Sequence, residues 1–330
     1  MRLMSGTWRG RRVAVTGAAG FIGSHLVERL LERDADVTAF VRYNSRSENG
    51  QLATEHDRLT IVRGDVRDLE TISGLVSDID TVFHLAALVG IPYSYIHVGE
   101  VVAVNVLGTL NVLTAAKEVG LQRVIIASTS EVYGSARYVP MDEAHPKQPQ
   151  SPYAASKIAS DAIAMSFHAA FGVPVTIVRP FNTYGPRQSD RAIIPTIISQ
   201  ALARDEVVLG NVTPRRDFTY VADTADGFIA AAESTATIGE ELNLGTGEDI
   251  SVGELAQKIG DLLGRELGVT ESEERVRPST SEVDRLVSNN ERARELMHWE
   301  PAVSLETGLR RTIDWVRAHP ELYDPGSYRV

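Results

Sequence analysis

The chain has 330 residues, of which 43% are hydrophobic and 23% charged, with a formal net charge of −11 and an isoelectric point near 5.3. The length fits one large α/β domain or one and a half, and the composition is that of an ordinary globular chain. The acidity argues against general binding to nucleic acid or to an anionic membrane. The chain has no cysteine, which excludes disulfides and cysteine-based metal sites and fits a reducing, cytoplasmic compartment.

The start of the chain is basic. Residues 1–11 contain no apolar stretch typical of a signal peptide, so we expect a short, loosely packed N-terminal extension there. No apolar run approaches the roughly 18 residues that a membrane-spanning helix needs. We therefore predict no membrane segment, no nucleic-acid partner and no metal site.

Predicted strands and helices alternate through residues 12–180. The strands are continuous apolar runs, typical of a parallel sheet buried on both faces, at 13–15, 37–41, 59–62, 81–85, 123–127 and 175–178. Helices are predicted between them at about 21–32, 69–76, 99–119 and 153–171. This alternation implies right-handed βαβ units, and so an α/β fold with a Rossmann-like, doubly wound parallel sheet.

The predicted elements become shorter after Pro180 and are separated by glycine, proline and charged residues. Helices are predicted at 193–203, 225–233, 252–263, 291–297 and 305–317, and strands at 217–221 and 242–244. Ser251 and Glu254 match a capping box at the start of one of these helices. We predict that residues 181–330 form mainly a smaller α/β substrate-binding lobe, with segments near 217–240 returning to the Rossmann domain.

A glycine-rich turn follows the first predicted strand. Gly17, Gly20 and Gly23 recur at three-residue spacing where the first helix begins. Such glycines permit a tight turn, let the backbone approach a phosphate and let the helix pack on the strand. Because the helix N-terminus adds free N–H groups and a positive dipole end, the segment predicts a dinucleotide pyrophosphate site. An ordinary glycine-rich turn is the alternative.

The end of the second strand bears on the choice between NAD and NADP. Dinucleotide-binding folds often have an acidic residue there, which holds the ribose hydroxyls. This chain has Arg42, whose guanidinium could pair with a 2′-phosphate and so favours NADP. The alternative is a solvated loop arginine, and the prediction is therefore NAD(P).

Two polar segments carry the candidate chemistry. Ser128, Thr129 and Glu131 follow the fifth strand, at the sheet edge where open α/β sheets bind ligands. Tyr153 and Lys157 are four residues apart and so share one helical face, where the ammonium would lower the pKa of the phenol and make it a usable base. The two hydroxyls could bond to the reacting oxygen, and the carboxylate could remove a proton from carbon. The alternatives are a solvent-facing Tyr–Lys pair and a carboxylate that points to solvent or caps a turn.

The chain resembles the extended short-chain dehydrogenases/reductases that act on nucleotide sugars. The resemblance covers nearly the whole chain and rests on TGAAGFIGSHL, HLAALVGIPYSY, STSEVYG, SPYAASK, RPFNTYGPRQ, RRDFTYVADTADG, NLGTG and SEVDRLVSNNERARELMHWEP. The most similar pattern is that of the nucleotide-sugar 4,6-dehydratases, in which dimers form through two long helices. The resemblance thus implies a homodimer and an NAD(P) cofactor that is tightly bound and recycled in each turnover.

The resemblance also implies roles for individual residues. The implied cofactor contacts are Gly17, Gly20, Phe21, Ile22, Gly23, Arg42, Asp65, Val66, Leu85, Ala86, Ala87, Ser128, Tyr153, Lys157 and Pro180. The implied contacts to a nucleotide-diphosphate sugar are Ser130, Asn182, Arg187, Arg216, Arg277 and Glu282. The implied catalytic residues are Thr129, Glu131, Tyr153 and Lys157. Surface salt bridging is the alternative for the arginines, and Asp223 is expected to be structural.

The implied reaction is stepwise. Tyr153 deprotonates the C4 hydroxyl while hydride passes to NAD(P)⁺, Glu131 removes the acidified C5 proton, water leaves from C6 and the hydride returns to C6. Ser130 stands where the dTDP-glucose dehydratases have an Asp, and the same Thr-Ser-Glu sequence occurs in GDP-mannose dehydratases and UDP-glucuronate decarboxylases. A nucleotide-sugar 4-epimerase and a UDP-uronic acid decarboxylase therefore stay open as alternatives. A non-catalytic NAD(P)-sensing module is the alternative of another class, against which the Tyr–Lys pair argues.

Overall fold

The structure is a computed structural model that describes residues 8–43, 49–52, 55–272 and 283–325. Its strands are β1 (Arg12–Thr16), β2 (Asp36–Arg42), β3 (Leu59–Gly64), β4 (Thr81–His84), β5 (Arg123–Ala127), β6 (Val175–Pro180), β7 (Asn182–Tyr184), β8 (Glu206–Leu209), β9 (Arg215–Arg216), β10 (Phe218–Tyr220), β11 (Glu241–Leu244), β12 (Ile250–Ser251), β13 (Gly268–Glu271) and β14 (Arg285–Leu286). Its helices are α1 (Phe21–Leu31), α2 (Leu69–Val76), α3 (Ile91–Ile96), α4 (Val98–Val102), α5 (Gly108–Val119), α6 (Pro152–Phe171), α7 (Ile193–Ala203), α8 (Val221–Glu233), α9 (Val252–Leu263), α10 (Glu291–Met297) and α11 (Leu305–Ala318). A π-helical turn, Ala103–Leu107, joins α4 to α5.

A parallel sheet forms the centre of the fold. Within the described ranges it contains seven strands in the order β11-β6-β5-β4-β1-β2-β3. The order reverses between β1 and β4, so the carboxyl ends of these two strands frame the crevice where such sheets bind ligands. This arrangement confirms the predicted Rossmann-like, doubly wound α/β fold.

Apolar side chains cover both faces of the sheet. One face packs against α1 and α8, through residues such as Leu26, Leu30 and Phe228. The other face packs against α2, α5 and α6, through residues such as Val112 and Ala164. The predicted continuous apolar strands follow from this burial on both sides.

The first described residue belongs to the core. Trp8 is buried, its ring lies 6.0 Å from that of Phe83, and its Nε1 donates to Glu233 Oε1 at 2.6 Å. The expectation of loose packing therefore fails at residue 8, because an indole buries a large apolar surface while its N–H finds an acceptor.

The smaller lobe is built on helices α7, α9 and α11 around a separate apolar cluster. Three small sheets accompany these helices: β7 pairs with β10, β8 pairs with β13, and β9 lies between β12 and β14. The predicted capping box is present, since Ser251 Oγ accepts from Glu254 N at 3.1 Å and Glu254 Oε2 accepts from Ser251 N at 2.9 Å. The expected structural role of Asp223 is also observed, because its Oδ2 accepts from Val303 N at 3.0 Å.

One helix in the described residues, Val98–Val119, is long and apolar enough to cross a membrane by length and composition. This helix packs against α6 and α2 within the Rossmann domain, as a core helix does. Its remaining exposed apolar side chains include Val98, Val102 and Leu107. The helix thus has one face in the core and one apolar face toward the outside.

Candidate functional site

A cavity of about 820 Å³ opens at the carboxyl ends of the strands, between the sheet and the smaller lobe. It brings together most of the predicted site residues. Those that line it are Gly17, Gly20, Phe21, Ile22, Gly23, Arg42, Asp65, Val66, Leu85, Ala86, Ala87, Ser128, Thr129, Ser130, Glu131, Tyr153, Lys157, Pro180, Asn182 and Arg216. Arg187 does not line it, and Arg277 and Glu282 lie outside the described residues.

The glycine-rich turn has the geometry that a dinucleotide needs. Gly17 has φ +70°, and a Cβ there would lie 2.7 Å from the backbone nitrogen of Ala86. A Cβ on Gly23 would lie 2.2 Å from the carbonyl oxygen of Gly17, so only glycine lets the helix start this close to the turn. No side chain caps the N-terminus of α1 and no acidic residue lies in its first turn. The N–H groups of that turn therefore fit a pyrophosphate.

Charged side chains surround the end of β2. Arg42 is exposed, and its Nη2 lies 3.6 Å from Glu100 Oε1. Asp65 pairs with Arg67 at 2.5 Å, and this hydrogen-bonded pair lowers the pKa of the Asp65 carboxyl. Because Arg67 is already paired with Asp65, the more exposed guanidinium of Arg42 is a described cation at the strand end that could meet a 2′-phosphate.

The loop after β4 is fixed against the helices behind it. Asn105, in the π-helical turn, accepts from Leu88 N at 2.8 Å through Oδ1 and donates to Ser156 Oγ at 2.9 Å through Nδ2. Since Ser156 precedes Lys157 in α6, this amide couples the Leu85–Ala87 wall of the cavity to the helix that carries the candidate catalytic pair.

Tyr153 and Lys157 lie buried at the start of α6, as their spacing predicts. Burial raises the pKa of Tyr153, and a hydrogen bond with Thr129 opposes that shift. Lys157 Nζ donates to the carbonyl oxygen of Ala127 at 2.6 Å. The expected lowering of the phenol pKa by the lysine is therefore not observed, because desolvation dominates and the ammonium bonds to the backbone instead.

The two hydroxyls after β5 differ in their partners. The Thr129 hydroxyl lies close enough to Tyr153 to lower the pKa of that phenol, against the effect of burial. Ser128 Oγ instead donates to Asp161 Oδ2 at 2.8 Å, in a buried contact below the cavity wall. In this structure the Ser128 proton is therefore given to a buried carboxylate, which is the stronger acceptor, and its bond to the reacting oxygen stays a prediction.

Glu131 lies in a short 3₁₀ turn, Ser130–Tyr133, directly after these hydroxyls. Thr129 caps this turn, because its side chain accepts from Glu131 N at 3.2 Å. Glu131 is half-buried and lines the cavity together with Ser130 and Tyr153. The turn therefore presents a carboxylate to the same space as the phenol.

The candidate phosphate-binding residues separate into two groups. Arg216 is buried in the cavity wall, and Asn182 Nδ2 is buried there without a hydrogen-bond partner in the described structure. Arg187 has φ +69°, and its guanidinium lies against α1, where Nη2 is 2.5 Å from Glu28 Oε1 and Nη1 is 3.2 Å from Ser24 Oγ. The prediction that Arg187 contacts the substrate is thus wrong in this structure, because that ion pair holds its side chain outside the cavity.

Arg191 is a functional candidate that the sequence reasoning missed. It lines the cavity beside the N-terminus of α7, and it forms no ion pair with any residue that the structure describes. A cation next to an uncapped helix N-terminus is well suited to an anion. Its position two residues before a predicted helix was the available sequence signal.

The chain matches a known protein family over most of its length. The profile of the family described as "GDP-mannose 4,6 dehydratase" matches residues 14–312. Among individual proteins, the chain is 33% identical over 319 residues to a mouse dTDP-D-glucose 4,6-dehydratase, covering 93% of this chain and 89% of the mouse protein. It is also 33% identical over 314 residues to a UDP-glucose 4-epimerase of Mycolicibacterium smegmatis, covering 93% and 98% of the two chains.

Two further similarities extend this pattern. The chain is 35% identical over 320 residues to a UDP-N-acetyl-alpha-D-glucosaminuronate decarboxylase of Bacillus cytotoxicus, covering 93% of this chain and 98% of that one. A solved dTDP-glucose 4,6-dehydratase from Streptomyces venezuelae, with NAD bound, superposes with a TM-score of 0.85 at 30% identity, covering 95% and 99% of the two chains. With its sheet order, glycine turn and cavity already described, the chain belongs to the GDP-mannose 4,6-dehydratase family of extended short-chain dehydrogenases/reductases.

Proposed function

We propose that the protein is an NAD(P)-dependent nucleotide-sugar 4,6-dehydratase. The observation that carries this proposal is Glu131, whose carboxylate lines the cavity beside the Thr129–Tyr153 contact. Oxidation or epimerisation of a nucleotide sugar at C4 needs the phenol, the lysine and a hydroxyl side chain. A carboxylate in the same space adds a base for a proton on carbon, which is what elimination of water requires.

A bound NAD(P)⁺ would supply the hydride acceptor that oxidation at C4 and reduction at C6 require. The first turn of α1 would hold the pyrophosphate, and Lys157 would bond the nicotinamide ribose. Tyr153 takes the proton of the C4 hydroxyl, and Thr129 orients that oxygen. Glu131 takes the C5 proton and gives it to the C6 hydroxyl, which leaves as water. C5 later regains a proton from solvent and Tyr153 releases its proton to solvent, so the net change is loss of one water.

The smaller lobe would bind the nucleotide diphosphate. Arg216 and Arg191 supply positive charge on the cavity wall, and the unpartnered Nδ2 of Asn182 supplies a donor. A guanidinium suits two phosphate oxygens at once, and a protein with a net charge of −11 needs such a local positive region to hold an anion.

The proposal is tested by incubating the purified protein with UDP-, GDP- and dTDP-sugars and measuring product masses. A dehydratase removes water, a 4-epimerase leaves the mass unchanged and a uronic acid decarboxylase releases carbon dioxide. In heavy water, a dehydratase product also carries deuterium at C5. Conversion with unchanged mass, or with loss of carbon dioxide, would replace the proposal by the corresponding alternative.

We also propose a cytoplasmic homodimer that pairs the outer faces of α4–α5 and α6. The apolar side chains of Val98, Val102, Leu107 and Phe171 are exposed in the single chain. Covering such a patch with a second copy removes apolar surface from water. Light scattering of the protein and of its Val102→Glu variant tests this: we expect a dimer for the first and a monomer for the second.

A further inference from the structure

A buried ion pair lies directly below the candidate catalytic residues. Asp161 in α6 and Arg179 in β6 are both fully buried, and Arg179 Nη2 lies 2.9 Å from Asp161 Oδ2. The same carboxylate oxygen accepts from Ser128 Oγ at 2.8 Å. Charges buried this deeply are costly unless each is paired, so these side chains hold one another in fixed positions.

Arg179 has a second carboxylate on its outer side. Its Nη2 lies 2.7 Å from Glu241 Oε1, which in turn lies 2.7 Å from Lys147 Nζ nearer the surface. The phenol of Tyr133 also accepts from Arg179 Nη1 at 3.0 Å. The guanidinium therefore keeps a carboxylate partner if the Asp161 charge is removed, which makes a neutral variant at that position feasible.

Asp161 also lies beside the catalytic pair. It is one helical turn after Lys157 on the same face of α6, and it fixes Ser128, the neighbour of the Ala127 carbonyl that binds Lys157 Nζ. Burial lowers the pKa of Lys157, and the Asp161 charge opposes that effect. The other charged or titratable groups near Lys157 and Asp161 are Tyr153 on α6, His84 on β4, Glu131 after β5 and Arg179 on β6.

We propose that Asp161 is a positioning residue of the catalytic site: it places a negative charge one helical turn from Lys157 and fixes Ser128, whose two chain neighbours contact the catalytic pair. The role of Asp161 in catalysis rests on the function proposed above, whereas its electrostatic effect on Lys157 can be measured without turnover. Asp161 itself does not line the cavity.

The test is a pH titration of Lys157 by NMR. The chain has four lysines, Lys117, Lys147, Lys157 and Lys258, so selective lysine labelling gives few signals, and Lys157→Met assigns the relevant one. In Asp161→Asn we expect the Lys157 midpoint to fall by about one pH unit, because a negative charge one turn away has been removed. The alkaline limb of the kcat/KM profile should move the same way.

Two variants complete the design. Asp223→Asn also neutralises a buried carboxylate, but in α8 on the opposite face of the sheet from α6, so it should lower thermal stability and leave the Lys157 midpoint unchanged. If Asp161→Asn does not fold, Glu241→Gln replaces it. The positive charge of Arg179 is then balanced by one carboxylate instead of two, so the Lys157 midpoint should fall by a smaller amount in the same direction. A Lys157 midpoint that matches the unmodified protein in the folded variant would overturn the proposal. A shifted midpoint in a protein that converts no nucleotide sugar would instead reject the proposed function and retain the role of Asp161.

Discussion

Nδ1 of His84 lies 2.8 Å from Oγ1 of Thr16, so a fully buried imidazole joins the end of β4 to the end of β1. On its other side, Nε2 lies 3.2 Å from Thr109 Oγ1. The hydroxyl of Thr109 donates to the carbonyl of Asn105 at 2.6 Å, so it accepts from Nε2–H. Because burial lowers the pKa of His84 and keeps the ring neutral, its single proton lies on Nε2, and Thr16 donates to Nδ1.

This neutral histidine predicts a stability loss in acid. Burial lowers the pKa of His84 from its ordinary value of 6.5 to about 3, with a further contribution from the Lys157 charge. As the pH falls through 6.5, His84 binds a proton in the unfolded chain but stays neutral in the folded protein. The contribution of His84 to the free energy of unfolding is therefore present above that pH and is lost below it. Between pH 7 and pH 5 we expect a loss of about 2 kcal/mol in the free energy of unfolding, measured by urea denaturation.

Two histidine variants isolate that effect. His84→Gln should be less stable at pH 7 and should lack the part of the acid loss that belongs to residue 84. His56→Gln, at an exposed turn, should follow the unmodified protein across the same range. An acid loss of equal size in His84→Gln and in the unmodified protein would show that another group is responsible.

Glu131→Gln should separate elimination from oxidation. The amide keeps the size of the carboxylate but cannot take a proton from C5, so we expect kcat for dehydration to fall by about 10²- to 10⁴-fold. Reduced cofactor should accumulate with the oxidised sugar in a single turnover, followed by absorbance. Tyr153→Phe is the matched comparison and should lose both steps. Dehydrated product at an unchanged rate would remove Glu131 from the reaction.

Arg42→Ala should alter cofactor choice. If the guanidinium meets a 2′-phosphate, its loss weakens NADP⁺ binding by about 10- to 100-fold and changes NAD⁺ binding less than twofold. Calorimetric titration with both cofactors measures this difference. Arg58→Ala is a suitable control, since Arg58 pairs with Asp36 at 3.0 Å, at the other end of β2. Equal weakening for both cofactors would assign Arg42 to the shared part of the dinucleotide or to the fold.

Arg216→Ala and Arg187→Ala should have opposite signatures. Arg216 lines the cavity, so its loss should raise KM for the nucleotide sugar by about 10- to 100-fold with little change in thermal stability. Arg187 bonds to Glu28 outside the cavity, so its loss should reduce stability by about 1–3 kcal/mol and leave KM within twofold. Steady-state kinetics and urea denaturation of both variants decide this, and a large KM effect of Arg187→Ala would restore it to the site.

The sequence predicted the sheet well because strands buried on both faces and amphipathic helices leave strong local patterns. The predicted bounds of α2, β5, α7, α9 and α10 agree with the structure. Two-residue strands such as β9, β12 and β14 were missed, since so few residues carry no periodicity and their pairing is decided by tertiary contacts.

The candidate site, like the fold, was predicted only where the signal is local in sequence. The glycine turn and the Tyr153–Lys157 spacing are local and were found, whereas the direction of an arginine side chain depends on distant partners. Arg187 is held by Glu28 in α1, and Ser128 is held by Asp161, and neither contact has a signature in the neighbouring sequence. Contacts between residues this far apart in sequence become visible only in the folded chain.

The edge strand β11 has a consequence for how the protein is made. It pairs with β6 although 60 residues separate the two strands in sequence, and α8 from this intervening stretch covers α1. A growing polypeptide that has emerged only to Pro180 would therefore expose one border of β6 and the apolar side of α1. Synthesis must continue past Leu244 before the nucleotide-binding half is complete, so a fragment ending at residue 180 should associate or be degraded rather than fold by itself.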